Sequence, residues 1–352
     1  MNHGRGCRDD LLVTPVMAVG GDESGTARNV PRFADRDQER AIVRDGYVVV
    51  RLLSEERARA IAREIAALYP DGVVANQPQS NWYLGLIDPD RDLAIRSARL
   101  VWDDVAPCLA ALLVDARCHY TSVAIKAPGA AATPMHQHWP STIDPFARRI
   151  GCWVLLSEAC QGPGLFRLVP RSHQLLPFIR HAGSGDYFEA FSDRVRADHA
   201  IDIALRPGEA VMFEDSILHG TRGNRSPTMR IAAIANFIGA DMRTAAVLPD
   251  GDGFAVVDTN RRDGMAHYLR TGMWPEQWRR VATLPNRNRP VTEAEFVKLL
   301  ALGRKASLDF DPLSLVRPDR AAAGEAGDSE GDDQSGNCGT LSRLVARLTR
   351  WR

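Results

Sequence analysis

The chain has 352 residues, 45% hydrophobic and 25% charged, an ordinary globular composition that excludes a wholly disordered protein. Lys and Arg number 44 and so do Asp and Glu, which leaves no net charge and no basic field of the kind that tracks nucleic-acid phosphates. No run approaches the ~20 apolar residues that cross a bilayer.

The first ten residues are too polar for a secretory signal, so the expected compartment is the cytoplasm. The six cysteines, Cys7, Cys108, Cys118, Cys152, Cys160 and Cys338, are scattered without a C-x-x-C pair and read as reduced packing residues.

Residues 1–30 mix Gly, Asp and Arg without periodicity and read as a flexible leader. Gly46 to Leu53 is a β-rich run, and Ser54 then fits a helix cap, with Glu55 and Glu56 in the first turn and Ile61, Ile65 and Leu68 at helical spacing. A second helical stretch runs from about Asp92 to Val114, where Pro107 is expected to break or kink it.

Short β-like runs follow between Gly and Pro turns: Thr121 to Ala127, Ile150 to Ser157, Leu165 to Val169, Ala210 to Glu214 and Arg230 to Ile238. They predict a mainly β domain with helical flanks, a jelly roll. The polar stretch Arg171 to Arg206 is far longer than a hairpin needs and reads either as a lid or as an incidental surface segment.

Residues 260 to 318 look partly helical and polar, and complete a domain spanning 31–318. Residues 319–352 read as a flexible linker and a basic amphipathic helix with Leu341, Leu344, Val345, Leu348 and Trp351 on one face. That helix could dock on an anionic membrane, a protein partner or its own acidic linker, or simply pack on the domain.

Two of the nine histidines stand as His136 and His138 in TPMHQHWP. In extended chain, side chains at i and i+2 share a face with Cα atoms roughly 6–7 Å apart, so both imidazoles can reach one metal; the pair can also arise by composition. Downstream, FEDSILHGTRGNRSPTMR places His219, Thr221 and Arg230 within a turn-and-return length. Neighbouring antiparallel strands are expected to set the His219 imidazole beside the Arg230 guanidinium, a metal ligand next to a carboxylate clamp. The apolar run after Arg230 argues for a buried strand, where an unpaired Arg is costly. His3, His181 and His199 lie in polar segments, while His119, His173 and His267 lack a partner at ligand spacing.

With these residues in view, the chain resembles the phytanoyl-CoA dioxygenase family of iron(II)- and 2-oxoglutarate-dependent oxygenases over about residues 38–242. The resemblance rests on DGYVVV (Asp45 to Val50), the pair His136 and Gln137, GPGLFRLVPRSH (Gly162 to His173), RPGEAVMFEDSILHG (Arg206 to Gly220) and Arg230. It implies a double-stranded β-helix, a cupin-like form of jelly roll. It also implies iron held by His136 and His219, 2-oxoglutarate clamped by Thr221 and Arg230, and a small organic substrate oxidised with dioxygen, secondary metabolism being one setting. Lys126, Trp153 and Gln137 match positions that line the co-substrate pocket, and His173 would brace a loop.

One departure stands out. The family expects Asp at position 138, completing two histidines and a carboxylate, and this chain has His138. Three imidazoles leave the centre one unit more positive, which disfavours high oxidation states and softens iron preference toward zinc or copper. His138 then ligates iron, or points away and leaves room for another anion, or marks lost chemistry. The alternatives that follow are a three-His oxygenase that does without 2-oxoglutarate and a non-catalytic metal or 2-oxoglutarate binding protein. Asp144, Glu214 and Asp215 are the nearby carboxylates that could compensate, but Asp144 lies beyond a Pro140 turn and the other two sit upstream on the His219 strand, so each is expected to be a solvated surface or turn residue.

Overall fold

The computed structural model describes residues 30–76, 82–158, 165–175, 179–181, 184–259, 278–286, 288–302 and 317–318. After β1 (Arg32–Phe33), helix α1 (Arg36–Asp45) starts on Asp35, whose carboxylate accepts from the Asp37 and Gln38 N–H groups, each at 2.9 Å. Gly46 ends it at φ +85°, a left-handed conformation that costs a residue with a Cβ about 1–2 kcal/mol. The chain then enters β2 (Tyr47–Arg51) and α2 (Glu55–Ala67), capped by Ser54 through Arg57 N as the sequence predicts. β3 (Tyr83–Leu84) precedes α3 (Arg91–Leu112).

Of the break or kink expected at Pro107, the break does not occur: α3 runs through it as one helix. Proline there removes one bond to the carbonyl of Asp103, an exposed residue on the outer side of the helix, while buried Val101, Val105 and Leu109 hold the apolar side in place. β4 (Leu113–Val114) pairs with β1 and leads into β5 (Ala116–Lys126).

The remaining β-domain strands are β6 (Thr133–His136), β7 (Ile150–Leu155), β8 (Phe166–Leu168), β9 (Ile201–Ile203), β10 (Glu209–Glu214), β11 (His219–Thr221) and β12 (Arg230–Gly239). They form two antiparallel sheets, a major one ordered β2-β10-β7-β12-β5-β3 and a minor one ordered β6-β11-β8-β9. Period-two alternation decides what each face meets. Val123, Ile125, Val154, Met212, Ile231 and Ala233 pack on Ile61, Ile65, Val101 and Leu109 of the helices. Their strand neighbours Trp153, Leu155, Val211, Phe213 and Ala232 point the other way, onto Phe166, Leu168 and Ile203 of the minor sheet. This is the expected double-stranded β-helix, with helices covering its outer face.

Beyond residue 239 the architecture departs from the expected helical extension. Strands β13 (Ala245–Asp250), β14 (Gly253–Asp258), β15 (Arg279–Pro285) and β16 (Arg317–Pro318) make a separate antiparallel sheet, packed through Val247, Phe254, Val256 and Leu284 on Ile143 and Ile179. One helix, α4 (Glu293–Leu302), is described there.

Arg171 to Arg206 is likewise more than a polar loop. Its Leu175, Tyr187, Phe188 and Val195 share an apolar cluster with Val291 and Phe296, so it is anchored on α4. The expected leader (1–29), linker and terminal helix (319–352) lie outside the described residues. No described helix is long and apolar enough to cross a membrane. Among the described residues, Cys108, Cys118 and Cys152 form no disulfide.

Candidate metal centre and co-substrate pocket

His136 closes β6 and His219 opens β11, and the two are register partners across these strands. His138, two residues on, returns to the same face. The three rings meet at centroid separations of 5.7 Å (His136–His138), 4.4 Å (His136–His219) and 4.6 Å (His138–His219). Each offers a ring nitrogen, and these atoms all lie within 4.8 Å of one another.

Every Nδ1 is already committed, donating to Pro134 O from His136, to Ile217 O from His219 and to Asp215 Oδ1 from His138, each at 2.9 Å. That fixes one tautomer for all three and leaves the Nε2 lone pairs free. The Nε2 atoms of His138 and His219 face each other at 3.1 Å. Two lone pairs at that range repel unless a cation lies between them, and nitrogens bound about 2.1 Å from one ion at a right angle stand about 3.0 Å apart. The donor set therefore fits a metal ion.

Burial favours the uncharged form that ligation needs. Removal from water, aided by the neighbouring imidazoles, pushes His136 down to about 3 and His219 well below the usual histidine range. Phe166 lies stacked on His219 at 5.6 Å with an interplanar angle of 9°, and Phe213 packs on the same ring at 4.6 Å.

Asp215 overturns the expectation of a surface carboxylate. It is 2% exposed and sits behind His138. Its Oδ2 accepts from Arg149 Nε at 3.2 Å and from Asn236 Nδ2 at 2.7 Å. Burial alone would raise this carboxyl, but His138, Arg149 and Asn236 outweigh it and hold it at about 2. Asp144 and Glu214 do not join the metal group: Asp144 is buried and accepts from Phe146 N at 3.0 Å, and Glu214 accepts from Ser216 Oγ at 2.8 Å.

Gln137 does not face the pocket either. With His136 and His138 pointing inward, alternation turns it outward, where its amide donates to Ser216 O. His173 braces a loop as expected, with Nε2 donating to Val43 O at 3.1 Å, while the neighbouring Ser172 Oγ accepts from Leu218 N at 2.8 Å. His119, His181 and His199 stand apart from the metal group, and His3 and His267 lie outside the described residues.

The cavity beside the three imidazoles is lined by Lys126, Thr133, Trp153, Thr221 and Arg230, among others. His219 and Arg230 do not share a hairpin, as the sequence suggested. β11 belongs to the minor sheet and β12 to the major one, so they approach the cavity from opposite walls.

The strand partner of Arg230 is Lys126, directly opposite in register, and both are 4% exposed. Lys126 Nζ donates to Ala131 O at 2.6 Å and Arg222 O at 3.4 Å, and Arg230 Nη2 donates to Arg222 O at 2.8 Å. Arg230 Nη1 has no hydrogen-bond partner. Among the described residues neither cation makes an ion pair with a carboxylate. Burial, with Arg230 adding repulsion, brings Lys126 down to about 7; burial alone brings Arg230 to about 10. Thr221 Oγ1 donates to Thr133 Oγ1 at 2.9 Å, putting a hydroxyl pair on the wall that faces the two cations.

A sequence profile described as "Phytanoyl-CoA dioxygenase (PhyH)" matches residues 42–232, more than half of the chain. The chain belongs to the phytanoyl-CoA dioxygenase family. It finds no match among curated protein sequences. Similar solved structures include EctD from S. alaskensis in its apoform, 19% identical over 66% of this chain and 84% of that one, with a TM-score of 0.41. Another is the non-heme alpha ketoglutarate dependent epimerase SnoN from nogalamycin biosynthesis, 18% identical over 73% and 92%, TM-score 0.46. A third is HygX from Streptomyces hygroscopicus with nickel, 2-oxoglutarate and hygromycin B bound, 17% identical over 58% and 87%, TM-score 0.41.

His138 turns toward His219, with the two ring centroids 4.6 Å apart. Thr133 and Asn236 escape a sequence reading because they carry no ligand-like spacing; alternation would put Thr133, three residues before His136, on the opposite face, and it is a register shift between β6 and β11 that pairs it with Thr221.

Proposed function

We propose that this protein is an iron(II)- and 2-oxoglutarate-dependent oxygenase that oxidises a small organic substrate, with His136, His138 and His219 holding the metal. The observation that carries this reading is the pairing of three convergent imidazole lone pairs with two buried, carboxylate-free cations in one cavity. An uncompensated buried charge is costly, and here two face each other across a strand pair. The ligand that relieves both, while also reaching the metal, is a dicarboxylate. Arg230 offers a planar fork to one carboxylate, Lys126 a second positive charge and Thr221 a hydroxyl. Trp153, with its ring in the cavity, gives the carbon chain of such a ligand an apolar wall.

This arrangement disfavours a three-His oxygenase working without the co-substrate, since such an enzyme has no use for the cation pair. The bound iron and 2-oxoglutarate together supply the oxidising chemistry with dioxygen, the co-substrate leaving as succinate and carbon dioxide. The chain orients both and excludes water. Trp82, Tyr120 and Ile234 line the rest of the cavity without charge, which suits an uncharged organic framework. The segment from Arg171 to Arg206 reaches this region through Arg180, whose Nη1 donates to Gln137 O at 2.5 Å, and is the candidate for substrate capture.

Anaerobic iron(II) and 2-oxoglutarate added to the purified protein should give a weak visible charge-transfer band, and oxygen should then release succinate. A metal-replete protein with neither band nor succinate would refute the assignment.

A further inference from the structure

The three imidazoles are not backed alike. His136 and His219 donate from Nδ1 to neutral backbone carbonyls, those of Pro134 and Ile217, whereas His138 donates to the carboxylate of Asp215. The residue that replaces the family's metal-binding carboxylate is thus the one with an anion behind it.

Asp215 is built in. His138 N donates to Asp215 O at 3.1 Å and Asp215 N donates to Arg149 O at 3.1 Å, so backbone bonds fix the side chains on both flanks. Its Oδ2 is held by Arg149 and by Asn236, which is 1% exposed, leaving Oδ1 for His138. Arg149 is itself fixed through Nη1 to Pro145 O and Ala147 O at 3.4 and 3.3 Å. By contrast the His138 side chain is 28% exposed, so its ring needs an anchor to keep one orientation in the cavity.

We propose that Asp215 is a positioning residue of the metal centre: its carboxylate holds His138 with Nε2 toward the cation and delivers through the imidazole the negative charge that a carboxylate at position 138 would deliver directly. A carboxylate behind a ligating imidazole fixes the tautomer and raises the basicity of the ligand. The inference rests on the metal site proposed above and deepens it, assigning this centre one outer carboxylate in place of an inner one.

The test is an anaerobic cobalt(II) titration of the full-length apoprotein, read by visible absorption and competition with a chelator, on wild type, Asp215→Asn, His138→Ala and the double variant. Asp215→Asn should weaken cobalt about 10- to 100-fold and alter its visible spectrum, the range expected when an outer-shell partner of a metal ligand is lost. In the His138→Ala background the same substitution should change affinity less than about twofold, because Asp215 acts through that imidazole.

Equal losses in both backgrounds, or no loss in either, would overturn the inference while leaving the metal site standing. A wild type that binds neither cobalt, zinc nor iron would overturn the metal site itself. A second measurement needs no variant to fold: imidazole ¹⁵N spectra of zinc-loaded wild type should place the His138 proton on Nδ1, and a proton on Nε2 would overturn the assignment.

Discussion

If Lys126 and Arg230 together clamp a dicarboxylate, binding should be coupled to protons with a sign fixed by burial. In the ligand-free protein Lys126 is depressed from the usual lysine range to about 7, through loss of solvent and the neighbouring Arg230. A carboxylate seated between the two cations stabilises protonated Lys126 and raises its pKa, so binding takes up a proton wherever the free lysine is neutral. Affinity should be flat below pH 7 and fall above it. At pH 8 about one free lysine in eleven carries its proton, so Kd for 2-oxoglutarate should be about tenfold weaker than at pH 6, equivalent to about 1.4 kcal/mol. Titration calorimetry of the anaerobic, manganese-loaded protein in buffers of different ionisation enthalpy reads proton uptake directly. It should climb from near zero at pH 6 toward one above pH 8. Lys126→Met should bind more weakly at every pH and lose both the slope and the uptake. A flat wild-type profile, or a slope that survives in Lys126→Met, would remove Lys126 from the clamp.

Three further outcomes follow from the same geometry. Arg230→Ala should weaken 2-oxoglutarate at least ~30-fold, about 2 kcal/mol, the low end for truncating a buried charge partner, while metal affinity measured without the co-substrate stays within about twofold. Gly46→Ala should lower the melting temperature by several degrees, since a methyl at φ +85° is strained and would press on the His173 ring and Ile217; an unchanged melting curve would contradict the tight approach of α1 to that loop. Phe296→Ala, which empties a fully buried site joining α4 to the Arg171–Arg206 segment, should cost about 3–5 kcal/mol of stability by denaturant titration. It should also raise proteolytic cleavage in that segment before the β domain is cut.

Much of the fold is written locally and could be read that way. Asp35, Ser54 and Asp90 each cap a helix with the side chain that such a position favours, and β12 is buried on both faces, as an uninterrupted apolar run requires. The C-terminal sheet was missed, although Asp250-Gly251-Asp252-Gly253 carries a hairpin signal, with Gly251 at φ +56° between paired Asp250 and Gly253. The Arg171–Arg206 segment hid its core for another reason. Val195 opens a π turn, Leu175 and Phe188 flank short 3-10 turns and Tyr187 lies outside any helix, so these apolar side chains follow neither a period of two nor one of 3.6.

The site divides along the same physical line. His136 and His138 were legible because strand alternation binds two positions to one face, whatever the rest of the protein does. His219 and Arg230 were legible as residue types but not in their arrangement: nothing local says that the eight residues between Thr221 and Arg230 carry the chain from one sheet to the facing one. Lys126 beside Arg230 depends on the register of β5 against β12, which is set by the whole sheet. Asp215 lies deeper still, because a carboxylate acting behind a histidine needs only to arrive at one ring nitrogen and can do so from any segment that packs there. Substituting His for Asp at position 138 therefore looks, in sequence, like the removal of a charge. In three dimensions a carboxylate is still present, 2.9 Å behind the imidazole and tied to Arg149 and Asn236, and if the three imidazoles hold a metal as proposed, the path from carboxylate to cation is lengthened by one ring.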